Sequence, residues 1–327
     1  MKRNRFQNKV AGSELTLPVC EAMAVALWWL PERAFSLRSV LGLVLCLLTT
    51  YIIMETNAQQ HIIRIRTRMM SCVWLVLSIC LPFMHPLGKP LCAAAFLCAA
   101  YMLLFRCYQR HRPQAYVFHA FLMLGIGSFF APVMLPMAAL FFLYLVVFLR
   151  SLTAKAFWAG ILGLVAPYWC YAVWLFLGAW GMEQGAAGFL WEGLEVPDYS
   201  LAAFPFPLAP DLTDSQMVKL SNVAVIVLLA TVSIIHYLRT NYDDKIRVRM
   251  ILYIYVVQTL VLMAFLLLQP AQYETTMALL ICSASPLIAH FFALSSSILS
   301  NLFFVLSLLL TAALATLNLW TTSFSIF

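Results

Sequence analysis

Charged residues are scarce in this sequence: Asp, Glu, Lys and Arg make up 10% of its 327 residues, against about 25% in an average soluble protein. Hydrophobic residues make up 64%, and several continuous apolar runs approach or exceed the ~18 residues that indicate a transmembrane helix. A soluble fold could not bury so many such runs in one core. Strands of a transmembrane barrel would alternate apolar and polar residues, which these runs do not. The sequence therefore predicts an all-α, polytopic transmembrane helical bundle.

Familiar catalytic and nucleotide-binding motifs are also missing. No Walker loop, G-x-S-x-G, H-E-x-x-H or dinucleotide fingerprint occurs at a usable position. The nine cysteines include no C-x-x-C pair, so neither a zinc site nor a redox motif is indicated. We therefore expect no metal and no cofactor. The net charge of +7 comes from short clusters between the apolar runs, which indicates topology signals and not nucleic-acid binding.

Eleven apolar segments are predicted as membrane spans, although a count of ten would also fit. They are 16–31, 39–54, 69–83, 91–106, 115–130, 133–149, 156–180, 220–238, 250–268, 275–293 and 298–321. If the basic stretch 1–14 is cytoplasmic, sixteen of the twenty Lys and Arg residues fall on the cytoplasmic side, as the positive-inside rule requires. We expect a cytoplasmic N-terminus without a cleaved signal peptide, and a single integral membrane domain over 1–327.

The middle of the chain predicts a helical hairpin. The apolar run Ala115–Leu149 has 35 residues, which is too long for one span of about 20 residues. Two glycines and two prolines interrupt it, so we place the turn near Ala131–Pro136. A third span, kinked at Pro167, follows. Its Gly160-x-x-Gly163 spacing permits close packing against another helix.

One long loop, Gly181–Val218, lies outside the cell on this topology. It has no Lys or Arg and holds six of the thirteen acidic residues, mixed with aromatic residues and four prolines. The loop is too apolar for a solvated linker. It is either an ordinary capping loop or an interfacial element that faces a substrate or partner.

Ionisable residues within apolar segments are the candidate ligand-binding residues, because charge in hydrocarbon is costly. Glu21, His119 and His290 lie in the first, fifth and tenth segments. Each could equally be an interfacial residue or a hydrogen-bonded structural residue. The pair Asp243–Asp244, with Lys245 beside it, is interpreted as a neutralised pair on the cytoplasmic surface.

The hairpin region resembles an uncharacterised family of polytopic inner-membrane proteins from Bacteroidota, known only as a domain of unknown function. The shared pattern comprises a glycine–serine run with an aromatic pair and a proline (Gly125–Pro132), a closing Arg150, the pair Phe157–Trp158, and Gly163 with Pro167 and Tyr168. The resemblance is clearest over about 65 residues, one fifth of the chain. It implies a bacterial inner membrane and supplies no activity.

The same arrangement of spans is similar to the middle of multi-span glycosyltransferases that use polyprenyl-phosphate lipids. Those enzymes place an acidic catalytic residue in the first external loop, where Glu32 lies in this sequence. The resemblance implies that Glu32 acts as a general base on an acceptor hydroxyl. The loop departs from the family pattern because it is only about seven residues long and has no Asp-x-Asp motif.

Three functional hypotheses follow. The sequence favours a non-enzymatic subunit or scaffold of envelope biogenesis with a membrane-protein partner, because catalytic motifs are missing. The alternative is a glycosyltransferase-like enzyme or lipid-carrier-binding protein that binds a polyprenyl-phosphate lipid. The third is a small-solute transporter, with the broken segment 125–136 and His119 or His290 along its path. Whether the protein is an enzyme stays open.

Overall fold

The computed structural model describes residues 5–30, 36–179 and 214–324, and these residues are helical with no strand among them. The helices are α1 (Phe6–Gly12), α2 (Thr16–Leu27), α3 (Leu37–Gln60), α4 (Met69–Ile79), α5 (Lys89–Phe105), α6 (Gln114–Ser128), α7 (Met134–Val147), α8 (Ala154–Ala179), α9 (Asp214–Thr240), α10 (Ile246–Leu268), α11 (Tyr273–Leu294) and α12 (Ile298–Phe324). The prediction of an all-α protein is confirmed. Each predicted apolar segment coincides with one of α2 to α12.

Six of these helices are long and apolar enough to cross a membrane: α3, α8, α9, α10, α11 and α12. The pair α1 and α2 would add a seventh span if the two are counted together, although they are bent by 87° at the break between them. Helices α4, α5 and α7 are apolar but have only 11, 17 and 14 residues. The six long helices indicate a membrane-embedded protein, while eleven spans and a cytoplasmic N-terminus stay predictions.

The described residues form two compact units, and the first comprises those of Met1–Ala95 and Ala203–Phe327. Helix α11 lies at its centre and packs against α4, α9 and α10. Almost all of its side chains are buried, as expected for a helix that is apolar on every face. At one end of the unit, Asn222 Nδ2 donates to Asn318 Oδ1 over 3.1 Å, so a buried amide pair joins α9 to α12.

Helix α1 ties together two loops of this first unit. The buried side chain of Gln7 donates through Nε2 to the carbonyl oxygen of Phe292 (2.6 Å) and to Ser295 Oγ (2.9 Å). At the other end of α1, Thr67 Oγ1 donates to the carbonyl oxygen of Ala11 over 2.6 Å. The α11–α12 turn and the α3–α4 loop are therefore both held to the same short helix.

The second unit comprises the described residues of Phe96–Ala202. Its hairpin is formed by α6 and α7 with the turn at 129–133, slightly earlier than predicted. Helix α8 packs along α6, and the small residues make this possible. A Cβ on Gly125 would lie 2.7 Å from the carbonyl oxygen of Leu164, and a Cβ on Gly163 would overlap the carbonyl oxygen of Phe118. The close packing predicted at Gly163 is confirmed.

Candidate functional site

Two of the predicted functional features fall outside the described residues. Glu32 lies in the undescribed segment 31–35, so its role as a general base stays a prediction. Most of the acidic loop, 181–213, is also outside the described residues, whereas its last residues, Asp214–Val218, begin helix α9.

Glu21 and His119 do not belong to one site with His290. Glu21 is half-buried on α2, near the thiols of Cys20 and Cys72. His119 belongs to the second unit, where its side chain is exposed and its Nδ1 lies 2.6 Å from the carbonyl oxygen of Ala115 in the same helix. This bond is local, which is typical of a structural histidine.

His290 is part of a buried polar cluster. Its side chain is 1% exposed, and its Nε2 lies 3.0 Å from Oδ2 of Asp244, whose side chain is completely buried. The interpretation of the Asp243–Asp244 pair as a surface feature is therefore wrong for Asp244, although Asp243 is 48% exposed. The Asp244 side chain points towards α11, where its carboxylate contacts His290 and not the adjacent Lys245.

Arg64 supplies the opposite charge from a third segment. Its Nε lies 3.1 Å from Asp244 Oδ1, its Nη1 donates to the carbonyl oxygen of Asp243 over 3.2 Å, and its side chain is 42% exposed. The cluster thus joins the α3–α4 loop, the α9–α10 connection and α11. A buried carboxylate without such partners would be strongly destabilising, because charge burial must be compensated.

One nitrogen of His290 has no partner. With Nε2 held by Asp244, the buried Nδ1 has no hydrogen-bond partner among the described residues, and the same is true of Nδ1 of His236. His85 shows the contrast, because both of its ring nitrogens lie within 3.1 Å of carbonyl oxygens, those of Trp28 and Ile79. Unsatisfied buried polar atoms require an explanation. Others occur in the described part of the chain, such as Trp74 Nε1, but of these residues only His236 and His290 line the cavity described next. His290 is therefore the best candidate for a ligand-binding residue.

A cavity of about 730 Å³ borders this cluster, and we call it the serine cavity. Its polar end is lined by Arg64, His236, Thr240, Asp243, His290, Ser295, Ser296, Ser297 and Ser300. The remaining lining residues come from α9, α11 and α12 and are apolar: Val232, Phe291, Leu294, Leu299, Leu302, Phe303 and Leu306. The cavity is therefore amphipathic. Its polar residues lie near the C-terminal ends of α9 and α11 and the N-terminal end of α12, whereas Val232, Leu302 and Leu306 lie at least one turn further into their helices.

The N-terminus of α12 adds to the polar end. Ser297 precedes the helix and caps it, since its Oγ accepts a hydrogen bond from the backbone N–H of Ser300 over 2.9 Å. The first N–H groups of a helix have no intrahelical partner, and they carry a partial positive charge that favours anions. The helix end, the hydroxyls of Ser295, Ser296 and Ser297 and the guanidinium of Arg64 offer donors to this end of the cavity, whereas the hydroxyl of Ser300 already donates to the carbonyl oxygen of Ser297. This end of the cavity is suited to a phosphoryl group.

Comparison with family models, with curated proteins and with solved structures gave no match. Within the described ranges, no three His, Cys, Asp or Glu side chains lie close enough together to hold a metal ion. The chemistry of the site must therefore be argued from its own side chains.

Proposed function

We propose that this protein is a multi-pass membrane protein that binds a phosphate-bearing lipid in the serine cavity. The observation that carries this proposal is His290, a buried imidazole at the polar end of an amphipathic cavity. One of its nitrogens is held by Asp244, and the other has no partner within 5–30, 36–179 and 214–324. This function corresponds to the alternative hypothesis from the sequence, a lipid-carrier-binding protein. The ligand in that hypothesis is a polyprenyl-phosphate lipid.

The phosphoryl group would lie at the polar end. A protonated phosphate oxygen would donate a hydrogen bond to Nδ1 of a neutral His290. An unprotonated oxygen would accept a hydrogen bond from Nδ1–H of the imidazolium. In both cases this nitrogen gains a partner. Asp244 supports both states because it accepts from Nε2. The serine hydroxyls and the N-terminus of α12 complete the set of donors.

The lipid chain would lie along the apolar wall. Leu302 is 63% exposed and Leu306 is 48% exposed, so hydrocarbon can reach this wall from the bilayer. The cavity volume of about 730 Å³ lies within the range of ~300–1,000 Å³ typical of small-molecule sites. It can hold a headgroup and the first part of a chain, with the remainder in the bilayer.

The finer expectations from the sequence belong to the same proposal. We place eleven segments in or on a bacterial inner membrane, with the N-terminus and the Arg64 loop on the cytoplasmic side, as the charge bias and the Bacteroidota resemblance support. The lipid would then enter from the cytoplasmic leaflet. The scaffold and transporter hypotheses stay predictions.

Native mass spectrometry of the full chain in detergent micelles tests the proposal. We expect one polyprenyl phosphate to bind per protein and the matching polyprenol, which lacks the phosphate, to bind much more weakly. His290→Gln should weaken binding of the phosphate form by about tenfold to a hundredfold, because a hydrogen bond to a charged group contributes ~1.5–3 kcal/mol. The matched control is His119→Gln, whose side chain is exposed in the second unit.

A second variant pair tests the apolar wall without altering a buried polar group. Leu302→Trp should fill the cavity and reduce binding, whereas Leu309→Trp on the same helix should not, because Leu309 is exposed and lies outside the cavity lining. Equal binding of phosphate and polyprenol, or equal effects of the two tryptophan variants, would contradict the proposal.

A further inference from the structure

A second cavity, which we call the basic cavity, lies under the α3–α4 loop. It has a volume of about 1020 Å³ and is lined by four cationic side chains, Arg64, Arg66, Arg68 and Lys245. His61 and two carboxylates, Glu14 and Glu55, also line it. The cations come from two segments that are far apart in the sequence, so the fold brings them together.

The loop that carries the arginines is held in a defined conformation. His61 ends α3 with a left-handed backbone, φ 53°. Asn57 then fixes the loop at two points, since its Nδ2 donates to the carbonyl oxygen of Thr67 and its Oδ1 accepts from the N–H of Ile63, both over 3.2 Å. The side chains of Ile62 and Ile63 are buried beneath the loop. Their burial anchors the loop while its basic side chains stay exposed.

The charges in this cavity are not balanced. Arg64 is paired with Asp244 and Asp243, whereas Arg66, Arg68 and Lys245 have no ion-pair partner among the described residues. These three cations face only two carboxylates, and Oε1 of Glu55 already accepts from Nε2 of Gln59 over 2.6 Å. The lining therefore carries an excess of positive charge, and such an excess in a cleft concentrates anionic ligands.

We propose that the basic cavity binds a small anion with two or more phosphoryl charges, separately from the lipid in the serine cavity. Arginine donates in a planar fork that matches phosphate oxygens, and two arginines with a lysine can bind two phosphoryl groups at once. A single orthophosphate would engage fewer of these groups. The same chemistry could come from a soluble diphosphate compound or from the headgroups of anionic lipids at the leaflet, and the experiment distinguishes these sources.

Isothermal titration calorimetry with inorganic pyrophosphate tests the proposal, using the full chain in nanodiscs of zwitterionic lipid. We expect saturable binding of one pyrophosphate, with orthophosphate at least about tenfold weaker and with affinity that falls as salt is added. The double variant Arg66→Gln with Arg68→Gln should weaken binding at least tenfold. The matched control, Arg110→Gln with Arg112→Gln, removes two arginines from an exposed loop of the second unit and should have no effect.

Two results would overturn the proposal. One is the absence of saturable pyrophosphate binding in zwitterionic nanodiscs. If the arginines then mediate binding to vesicles that contain phosphatidylglycerol, the loop is a leaflet contact and not a site for a small anion. The other is loss of pyrophosphate binding in Ser296→Ala, since Ser296 lines the serine cavity and not the basic cavity. Arg64 lines both cavities, whereas Arg66 and Arg68 line only the basic cavity and Ser296 lines only the serine cavity, so these variants distinguish failure of one proposal from failure of the other.

Discussion

Replacement of Asp244 by Asn tests the central cluster most sharply, because Asp243 beside it provides the matched control. Both changes remove one charge and keep the size of the side chain. Asp244 is completely buried between Arg64 and His290, whereas Asp243 is 48% exposed and lies 3.7 Å from Arg64. The structure therefore predicts very different effects of two adjacent substitutions.

The magnitude follows from the contacts that each variant loses. In Asp244→Asn the bond from His290 becomes a neutral hydrogen bond, a loss of about 1–1.5 kcal/mol. The ion pair with Arg64 contributes about 0.5–1 kcal/mol, because the 42% exposed side chain of Arg64 is screened by solvent. We expect Asp244→Asn to lower the free energy of unfolding by about 2 kcal/mol, and Asp243→Asn by less than ~0.5 kcal/mol.

The assay is unfolding by SDS in mixed micelles, followed by the fluorescence of the nine tryptophans. A double-mutant cycle with His290→Gln should give a coupling energy of about 0.5–3 kcal/mol between Asp244 and His290. Equal destabilisation by Asp243→Asn and Asp244→Asn, or a coupling energy near zero, would refute the account of the cluster.

Three further predictions concern other parts of the chain. Gly163→Ala should destabilise the packing of α8 on α6 by about 1–3 kcal/mol, since its methyl group meets backbone. The methyl group of Gly160→Ala meets only side chains, those of Phe142 and Phe121, and this variant should cost less in the same SDS titration. Burial raises the pKa of the Cys107 thiol to about 12, so little reactive thiolate is present at pH 8. Maleimide should therefore label Cys107 far more slowly than a cysteine introduced by His111→Cys. Equal labelling rates would contradict this. Gln7→Leu removes the bonds that hold the α11–α12 turn, and we expect faster proteolysis of that turn with native helix content by circular dichroism.

The helices could be predicted from the sequence because each contains a continuous apolar run. The segment 275–293 agrees closely with α11 (Tyr273–Leu294), since hydrophobicity alone determines where such a helix begins and ends. Helix α1 was missed because its seven residues, FQNKVAG, form no continuous apolar run. Its role becomes clear only from the contacts of Gln7. The number of true spans could not be fixed, because α4, α5 and α7 are apolar yet short.

The site could be predicted only in part. His290 was identified because an ionisable residue deep in an apolar segment is costly. Its partners were not identified, because Arg64 and Asp244 are 180 positions apart and meet only when two loops fold against α11. Arg64 was considered a topology determinant and Asp244 a surface residue. Two adjacent aspartates between two apolar helices indicate that one of them could be buried. The sequence alone does not show which of the two side chains points into the protein.

Ser295–Ser297 illustrates a signal that could have been used. Serine is favoured at helix N-caps, so this run before the last apolar segment predicts the start of a helix. The hydrogen bond from the backbone N–H of Ser300 to Oγ of Ser297 shows that Ser297 caps α12.

The central claim is that a phosphate-bearing lipid occupies the serine cavity. The most direct measurement is photo-crosslinking of the full chain in nanodiscs with a polyprenyl phosphate that carries a photoreactive group near its phosphate, followed by peptide mapping. The account predicts crosslinks on the cavity wall, at Val232, Leu299 and Leu302, that disappear when unlabelled polyprenyl phosphate competes and persist when polyprenol is added. Crosslinks spread over lipid-facing helices, including the exposed face of α8 at Trp158 and Trp169, with no effect of the competitor, would contradict it.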